Sequence, residues 1–519
     1  SVNKGHRYHT RKIMKTLQRY ITNKVFIGGL LVIAQFAVVI YLFWTLSINY
    51  ALVYGILLIL SALLVIYVTN RNSNPHYRLA WTLVILSFPP VGAIIYFIFG
   101  EKKVPKKLRE NIGEAYSKDS PIFIENDREH IDKEIPKWAG LINYIENTSN
   151  FPYYENTEST YLESGEAKFE DMIQELEKAE KFIFMEYFII KEGVLWDRVY
   201  EVLAQKVKEG VLVRLIYDDW GCAMFPKLQK ICDDAGIEAI AFNPLVARLA
   251  IQMNNRNHRK ICVIDSQVGY VGGMNIADEY INIGSKYGHW KDTAVKVEGD
   301  AVQSLTLMFL QFYRYYTGKI EDPMKYKIDY KTSNKDLGYV VPFSDAPTDD
   351  YDLGLDAHLS MINTARKYIY IQTPYLIIGY EMAQALVLSA LSGVDVRIVV
   401  PHIPDKKVVN QVTKSNYEVL LEGGVKIYEY EPGFVHSKTF VVDDEACLVG
   451  TTNMDFRSYY LHFECSILFV NNPIVMDCKK DVLDTIENNC IEITLEQAQA
   501  TPYVVKLFRS FARIFSGLM

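Results

Sequence analysis

Two histidines, each with a lysine two residues on, are the groups in this sequence best suited to chemistry. His258 and Lys260 open the stretch NHRKICVIDSQVGYVGGMN, residues 257–275, and His436 and Lys438 open VHSKTFVVDDEACLVGTTN, residues 435–453. Each pair leads into an apolar run that reads as a short buried strand. Residues i and i+2 of a strand share a face, so histidine and lysine project together from one edge of a core. The offsets agree in both copies: an aspartate (Asp265, Asp443) seven residues after the histidine, a glycine (Gly272, Gly450) fourteen after, and an asparagine (Asn275, Asn453) seventeen after. Five residue types at matching offsets rule out an incidental strand end.

An imidazole, with an unperturbed pKa of ~6.5, can act as base or nucleophile near neutrality. Two ammonium groups (Lys260, Lys438) and two side-chain amides (Asn275, Asn453) gathered around two imidazoles make an anion site. Its natural occupant is a phosphoryl group whose oxygens gain charge in the transition state. A metal site is excluded by the same residues, since a lysine beside each histidine repels a cation and no thiolate or oxygen-rich cluster accompanies them. Asp292, in HWKDTAVKVEG, and Glu464, in LHFECSILFV, each open the next apolar strand after their motif. A carboxylate bonded to the far nitrogen of each imidazole would fix its tautomer, the orienting role of a catalytic triad. Asp265 and Asp443 sit at turns, where they either hold the motif or join the chemistry.

The elements that position these groups also repeat. KFIFMEYF from Lys181 matches KYIYIQTPY from Lys367, and GVLVRLIYDD from Gly210 matches GVDVRIVVPH from Gly393. Each half therefore reads as strand, helix, strand and then the His-Lys strand, an α/β layer with a largely parallel core. The first half spans 151–330 and the second 331–490, with residues 111–150 as a linker. A site shared at a pseudo-twofold interface brings His258 and His436 face to face.

In front of these halves lies a region of different composition. The chain has 519 residues, 50% of them hydrophobic and 23% charged, with a formal net charge of −7. That balance disfavours nucleic acid as a partner. Seven scattered cysteines form no C-x-x-C pair, so neither a disulfide framework nor a zinc site is expected. Residues 25–46 and 50–68 carry no charge, and each is long enough to cross a ~30 Å hydrocarbon core. Basic flanks before the first run and after the second place both ends in the cytoplasm. A third apolar segment, 79–100, is interrupted by Pro89-Pro90 and reads as a broken hairpin that dips in and returns. The membrane region thus covers 1–110.

At the other end, 491–519 form an amphipathic helix. Val504, Leu507, Phe508, Phe511, Ile514, Phe515 and Leu518 recur at three- and four-residue steps, opposite Lys506, Arg509 and Arg513. Such a stripe suits an anionic membrane surface, the protein's own core, or a second copy in a homodimer.

The doubled motif resembles the H-x-K-x-x-x-x-D signature of the phospholipase D superfamily, over roughly residues 150–490. SFPPVGAIIYFIFGEKK at 87–103, MEYFII at 185–190 and HRKICVIDSQVGYVGGMNIADEY at 258–280 are similar to bacterial cardiolipin synthases. The resemblance implies an α/β fold of two pseudo-twofold halves forming one catalytic unit behind an α-helical transmembrane region in the bacterial cell membrane. It also implies phosphatidyl transfer from one phosphatidylglycerol to another, giving cardiolipin without any cofactor. His258 would be the nucleophile and His436 the general acid and base, an order that pseudo-symmetry leaves interchangeable. Water or another alcohol as acceptor, making a phospholipase D hydrolase or transphosphatidylase, is the alternative. Gly273 departs from the superfamily, many of whose members have Ser there, while the second half has Thr451. A hydroxyl donor to the phosphate is thus expected to be missing from the first half.

Overall fold

The two halves build two sheets of matching order. The first half contributes β1 (Thr157–Leu162), β2 (Phe182–Tyr187), β3 (Leu212–Asp218), β4 (Glu238–Phe242), β5 (Ile261–Ile264), β6 (Val268–Gly272), β7 (His289–Lys291) and β8 (Ala294–Gly299). The second contributes β9 (Tyr339–Asp345), β10 (Tyr368–Gln372), β11 (Asp395–Pro401), β12 (Lys426–Tyr430), β13 (Gly433–Val435), β14 (Thr439–Val442), β15 (Ala446–Gly450), β16 (Glu464–Val470) and β17 (Cys490–Ile493). The computed structural model describes residues 51–71, 74–100, 128–244, 255–348 and 351–518, apart from positions 320, 329, 333, 335 and 336, together with isolated helical residues between 34 and 45.

The sheet orders are β4-β3-β2-β5-β6-β8-β1 and β17-β12-β11-β10-β14-β15-β16-β9, the same pattern with β17 added at one edge. Within these two sheets, among the described residues, only β2-β3-β4 and β10-β11-β12 run parallel. The His-Lys strands β5 and β14 run antiparallel to both of their neighbours, so the core is mixed rather than largely parallel. The reason is local. A three-residue turn after each His-Lys strand folds the chain straight back into a hairpin, and hairpins are antiparallel.

Those turns are built by the motif aspartates. Asp265 and Ser266, and likewise Asp443 and Asp444, take positive φ, a conformation in which Asp is among the better tolerated residues. The Asp265 carboxylate accepts from the backbone N–H groups of Glu180, Lys181 and Phe182 at 2.7–2.8 Å. Asp443 does the same for Arg366, Lys367 and Tyr368 and also receives Lys137 Nζ at 2.6 Å. Burial would raise the Asp443 carboxyl, but Lys137 and these donors hold it below the ordinary carboxylate value. Four strand residues separate each aspartate from its lysine, roughly 13 Å of extended chain. The aspartates therefore pin the far end of the motif strand to the start of its neighbour; they do not face the imidazoles.

Both faces of each motif strand are covered, which is why ICVI and TFVV read as unbroken apolar runs. Ile261 and Val263 face a shared core that also holds Val441, Val449 and Ile467 from the second sheet. Two helices, Val302–Thr317 and Ile474–Asn489, contribute to that same core. Cys262 and Ile264 face an outer cluster under the helices Gly165–Glu177 and Val194–Lys208. On the outer side of the second sheet, Phe440 and Leu448 pack with Trp138, Ile142 and Ile145 of the helix Pro136–Ser149. The segment expected as a linker thus differs from expectation: residues 128–134 and 136–149 are helical and complete the second half's core, while 111–127 lie outside the described residues.

Among the described residues, one helix, Ala51–Thr69, is long and apolar enough to cross a bilayer. The first expected span, 25–46, lies almost wholly outside the described residues. The third segment is broken at the expected place, into helices Pro75–Ser87 and Val91–Phe99. They meet so closely that a Cβ on Gly92 would fall 2.3 Å from the Val84 carbonyl oxygen.

The C-terminal segment expected as one helix over 491–519 begins instead with the end of β17 and a short helix, Leu495–Gln499; the amphipathic helix runs Tyr503–Ile514, with its basic face, not its apolar one, turned to the protein. Lys506 bonds Glu418 at 3.0 Å and Arg509 bonds Gln411 at 2.9 Å, so the basic face is turned toward the second half. Ala512 packs with Ile377, Val412 and Phe456 on that side. Tyr503, Val504, Leu507, Phe508 and Phe511 point outward and are exposed. Beyond the helix, Gly517 lies against the foot of Pro75–Ser87, where a Cβ would sit 2.9 Å from the Tyr77 amide nitrogen.

Asp265→Ala leaves three backbone donors without their acceptor and is expected to destabilise the protein by about 3 kcal/mol. Turnover per folded molecule should stay within about threefold of wild type, given a typical cost of at least 10²-fold for losing an acid or base. Thermal unfolding in detergent, read beside activity, checks this; lost turnover at unchanged stability would put Asp265 in the chemistry.

Candidate active site

The two halves are stitched together at the histidines. β13 pairs in parallel with β7, Phe434 opposite Trp290, and the His436 amide donates to the Lys291 carbonyl at 2.7 Å. On the other side Asn257 bridges Phe463, and the His258 amide donates to the Phe463 carbonyl at 2.9 Å. Each histidine is thereby fastened one residue before the acid of the other half. The consequence is a crossed pairing. His258 Nδ1 lies 3.0 and 2.9 Å from the two carboxylate oxygens of Glu464, and His436 Nδ1 lies 2.6 Å from Asp292 Oδ2. Sequence alone leaves open which acid serves which imidazole.

A carboxylate at Nδ1 holds the proton there and leaves Nε2 bare, the form that can attack phosphorus or accept a proton. Both imidazoles are buried, and burial, reinforced by the lysines of both motifs, pushes their pKa values well below the ordinary range. Burial also raises the Asp292 carboxyl to about 7, against the pull of Lys438 and Lys260. Lys260 Nζ donates to the His258 carbonyl at 2.6 Å, and Lys438 Nζ donates to that of His436. Each ammonium so stays beside its histidine. Burial pushes Lys260 down to about 7 and Lys438 down to about 8, although the carboxylates of Glu464 and Asp292 favour their charge. Such a centre gains most from an anion, which would restore both ammonium charges.

The two asparagines differ. Asn275 is committed, accepting from the Ile189 amide at 2.9 Å and donating to the Tyr280 hydroxyl at 2.7 Å. Asn453 has a buried Oδ1 with no partner and remains available to a ligand. The Thr451 hydroxyl is not a free phosphate donor, because it donates to Glu464. Opposite it, Gly273 presses on Asp292: a Cβ there would lie 2.1 Å from Oδ1, so the first half has no room for a hydroxyl at this point.

Other supporting residues escaped the sequence reading. Arg256 pairs with Asp218 at 2.9 Å, and Asn257 donates to Glu186 at 2.6 Å, so both neighbours of the motif are clamped from beneath. The only signal was charge within otherwise apolar strands, Glu186 in MEYF and Asp218 in IYDD. His462 was also missed; its ring centroid lies 5.4 Å from that of His258. His258, His462 and Glu464 have ligand atoms within 4.8 Å of one another, as a metal site would require. The ammonium groups of Lys260 and Lys438 and the Arg457 guanidinium oppose a divalent cation there. A small cleft opens beside Phe434, lined also by Tyr375, Lys406 and Asn410.

Comparison with known proteins places the chain among characterised families. A family model described as cardiolipin synthase, PLD-like domain, matches residues 172–291 and 358–484, and one described as phospholipase D-nuclease N-terminal matches 56–101. The chain is 40% identical over 460 residues to an uncharacterized protein of Streptococcus mutans, covering 88% of this chain and 99% of that one. It is 36% identical over 461 residues to a cardiolipin synthase of Alkalihalophilus pseudofirmus, covering 86% and 90%. A cardiolipin synthase of Halalkalibacterium halodurans is 35% identical over 465 residues, covering 88% and 91%. In fold, the chain is similar to phosphatidylserine synthase from Haemophilus influenzae, with a TM-score of 0.55 at 16% identity over 73% of this chain and 98% of that one.

The lysine shifts give a pH signature. Raising the pH through about 7 and then about 8 removes the Lys260 and Lys438 charges from the free enzyme, so kcat/KM for a phosphodiester should fall between pH 7 and 9. A bound phosphate anion raises both values, so kcat should hold to higher pH. Steady-state rates across pH 6–10 check this; kcat and kcat/KM declining together would mean that the lysines do not bind the anion.

Proposed function

Because the chain belongs to the cardiolipin synthase family of phospholipase D-like enzymes, we propose that it moves the phosphatidyl group of one phosphatidylglycerol onto the glycerol hydroxyl of another. The products are cardiolipin and free glycerol. The crossed pairs carry this reading: each carboxylate at Nδ1 turns an Nε2 toward the phosphoryl site, bare on His258 and carrying the transferable proton on His436 once the anion is bound. In the first step His258 Nε2 attacks phosphorus, the P–O bond to glycerol breaks, and His436 gives a proton to the departing oxygen. In the second, the hydroxyl of another phosphatidylglycerol attacks phosphorus, its proton goes to His436, and the P–N bond breaks. One phosphodiester replaces another, so the protons and bonds balance without a nucleotide. Lys260, Lys438 and Asn453 neutralise and orient the phosphoryl oxygens.

His258→Asn and His436→Asn are each expected to cut cardiolipin formation from pure phosphatidylglycerol at least about a hundredfold, the usual cost of losing such a group. Mass analysis of the products reads the result. Phosphatidic acid in place of cardiolipin from the wild type would make the enzyme a hydrolase.

The membrane enters through three elements. With basic residues flanking the apolar runs, the catalytic unit lies on the cytoplasmic side of the bacterial cell membrane. A cysteine placed at residue 110 should then resist an impermeant label applied outside intact cells; efficient labelling would reverse the orientation. The proline-broken hairpin and the turn that ends the C-terminal helix meet at Gly517. Lys506 and Arg509 hold the helix to the protein, and its outward apolar side enters the interface of an anionic membrane. Leu507→Glu with Phe511→Glu changes only exposed positions. The pair should lower activity on phosphatidylglycerol vesicles by about tenfold or more, as burial of two large side chains implies. Short-chain soluble phosphatidylglycerol should be turned over as before. Equal losses on both substrates, or a dimer that dissociates, would assign the face to folding or to a second copy.

A further inference from the structure

His462 and Trp290 occupy equivalent places, each two residues before the acid that serves the other half's histidine. Their rings lie in equivalent places too. Trp290 stands 5.3 Å from His436 at 44°, and His462 stands 5.4 Å from His258 at 39°. One catalytic imidazole is thus covered by an indole and the other by a third imidazole, which breaks the pseudo-symmetry at the reacting groups.

The chemical difference falls on the acids. His462 Nε2 accepts from Arg457 Nε at 3.4 Å, which leaves its proton on Nδ1. That N–H is buried, has no hydrogen-bond partner, and lies 3.7 Å from Glu464 Oε1. Glu464 also takes the Thr451 hydroxyl. Asp292, by contrast, takes only the adjacent Thr293 amide at 2.9 Å besides His436, and faces Gly273, which has no side chain to offer. The charged and titratable groups around His462 are Glu464 on its own segment, Arg457 with Asp455 at the start of the neighbouring helix, and His258 from the first half, with Arg256 of that half facing Arg457. Burial keeps His462 neutral, with a pKa near 3.

We infer that His462 is a positioning residue: with Thr451 it draws the charge of Glu464 away from His258 Nδ1 and so assigns the two histidines their unequal roles. A carboxylate that shares its charge among several donors stabilises an imidazolium less. His258 therefore stays unprotonated and is the imidazole that bonds phosphorus. Asp292, undivided, supports His436 when it holds the proton in transit. The inference rests on the phosphohistidine reading and deepens it.

The test replaces His462 with the residue of the other half. His462→Trp removes the N–H and returns the full charge of Glu464 to His258. The acid limb of kcat/KM should move up by about one pH unit, which costs roughly tenfold at pH values below that limb. Rates at pH 8 should stay within about threefold of wild type. His462→Asn keeps an N–H donor and should preserve the wild-type acid limb, which also serves if the tryptophan variant folds poorly. Label trapped from phosphatidylglycerol by rapid denaturation without acid should be found on the His258 peptide. Label on the His436 peptide, an unmoved acid limb in His462→Trp, or equal losses at every pH in both variants would overturn the inference. The pH limb can be read on any phosphodiester the enzyme turns over, hydrolysis included. A failure of cardiolipin formation is thereby distinguishable from a failure of the role given to His462.

Discussion

The structure depends on two buried imidazole–carboxylate pairs that cross between the halves. His258 with Glu464, and His436 with Asp292, are each made of one group from each half and are almost fully removed from water. A carboxylate left alone in such a place is costly, about 3–5 kcal/mol when its partner is removed. Neither half can therefore complete its own site, and the catalytic unit is the pair. The backbone bonds at Phe463 and Lys291 are what deliver the acids, since they bring the start of each acid strand alongside the opposing histidine.

Everything beneath the pairs serves to hold the histidine strands still. Asp265 and Asp443 tie the far ends of β5 and β14 to β2 and β10 through three backbone N–H groups each. Apolar cores on both faces of these strands leave little freedom to slide. The lysines are the counterpart at the near end: anchored on the histidine carbonyls and kept out of water, they hold their charge only weakly until an anion arrives. A site with that property is selective for a bound phosphoryl group over an empty state, which suits a reaction whose two halves both pass through a charged phosphorane.

The C-terminal helix follows a different logic from the amphipathic helices around the sheets. Those helices turn apolar residues inward; this one turns lysine and arginine inward, onto Glu418 and Gln411, and leaves phenylalanine and leucine outside. In water alone such an arrangement would be unfavourable, and just beyond the helix Gly517 lies against the proline-broken hairpin.

Sequence by itself determined which residues could react and how the chain repeats, because motif offsets and strand periodicity are local properties. His258, Lys260, His436 and Lys438, the two-half α/β organisation, the proline break and the two faces of the last helix were all legible in it. The turn role of the aspartates was legible only as one of two options, since a carboxylate at a turn looks the same whether it binds amides or substrate. What tertiary structure alone decided was everything set by contacts between distant segments. These are the crossing of the acids, the mixed strand directions, the helices at 128–149 that close the second core, the capture of Thr451 by Glu464, the ring of His462 over His258, and the inward turn of Lys506 and Arg509. The physical reason is common to all of them: hydrophobic pattern specifies that a face is buried, but only packing specifies what it is buried against.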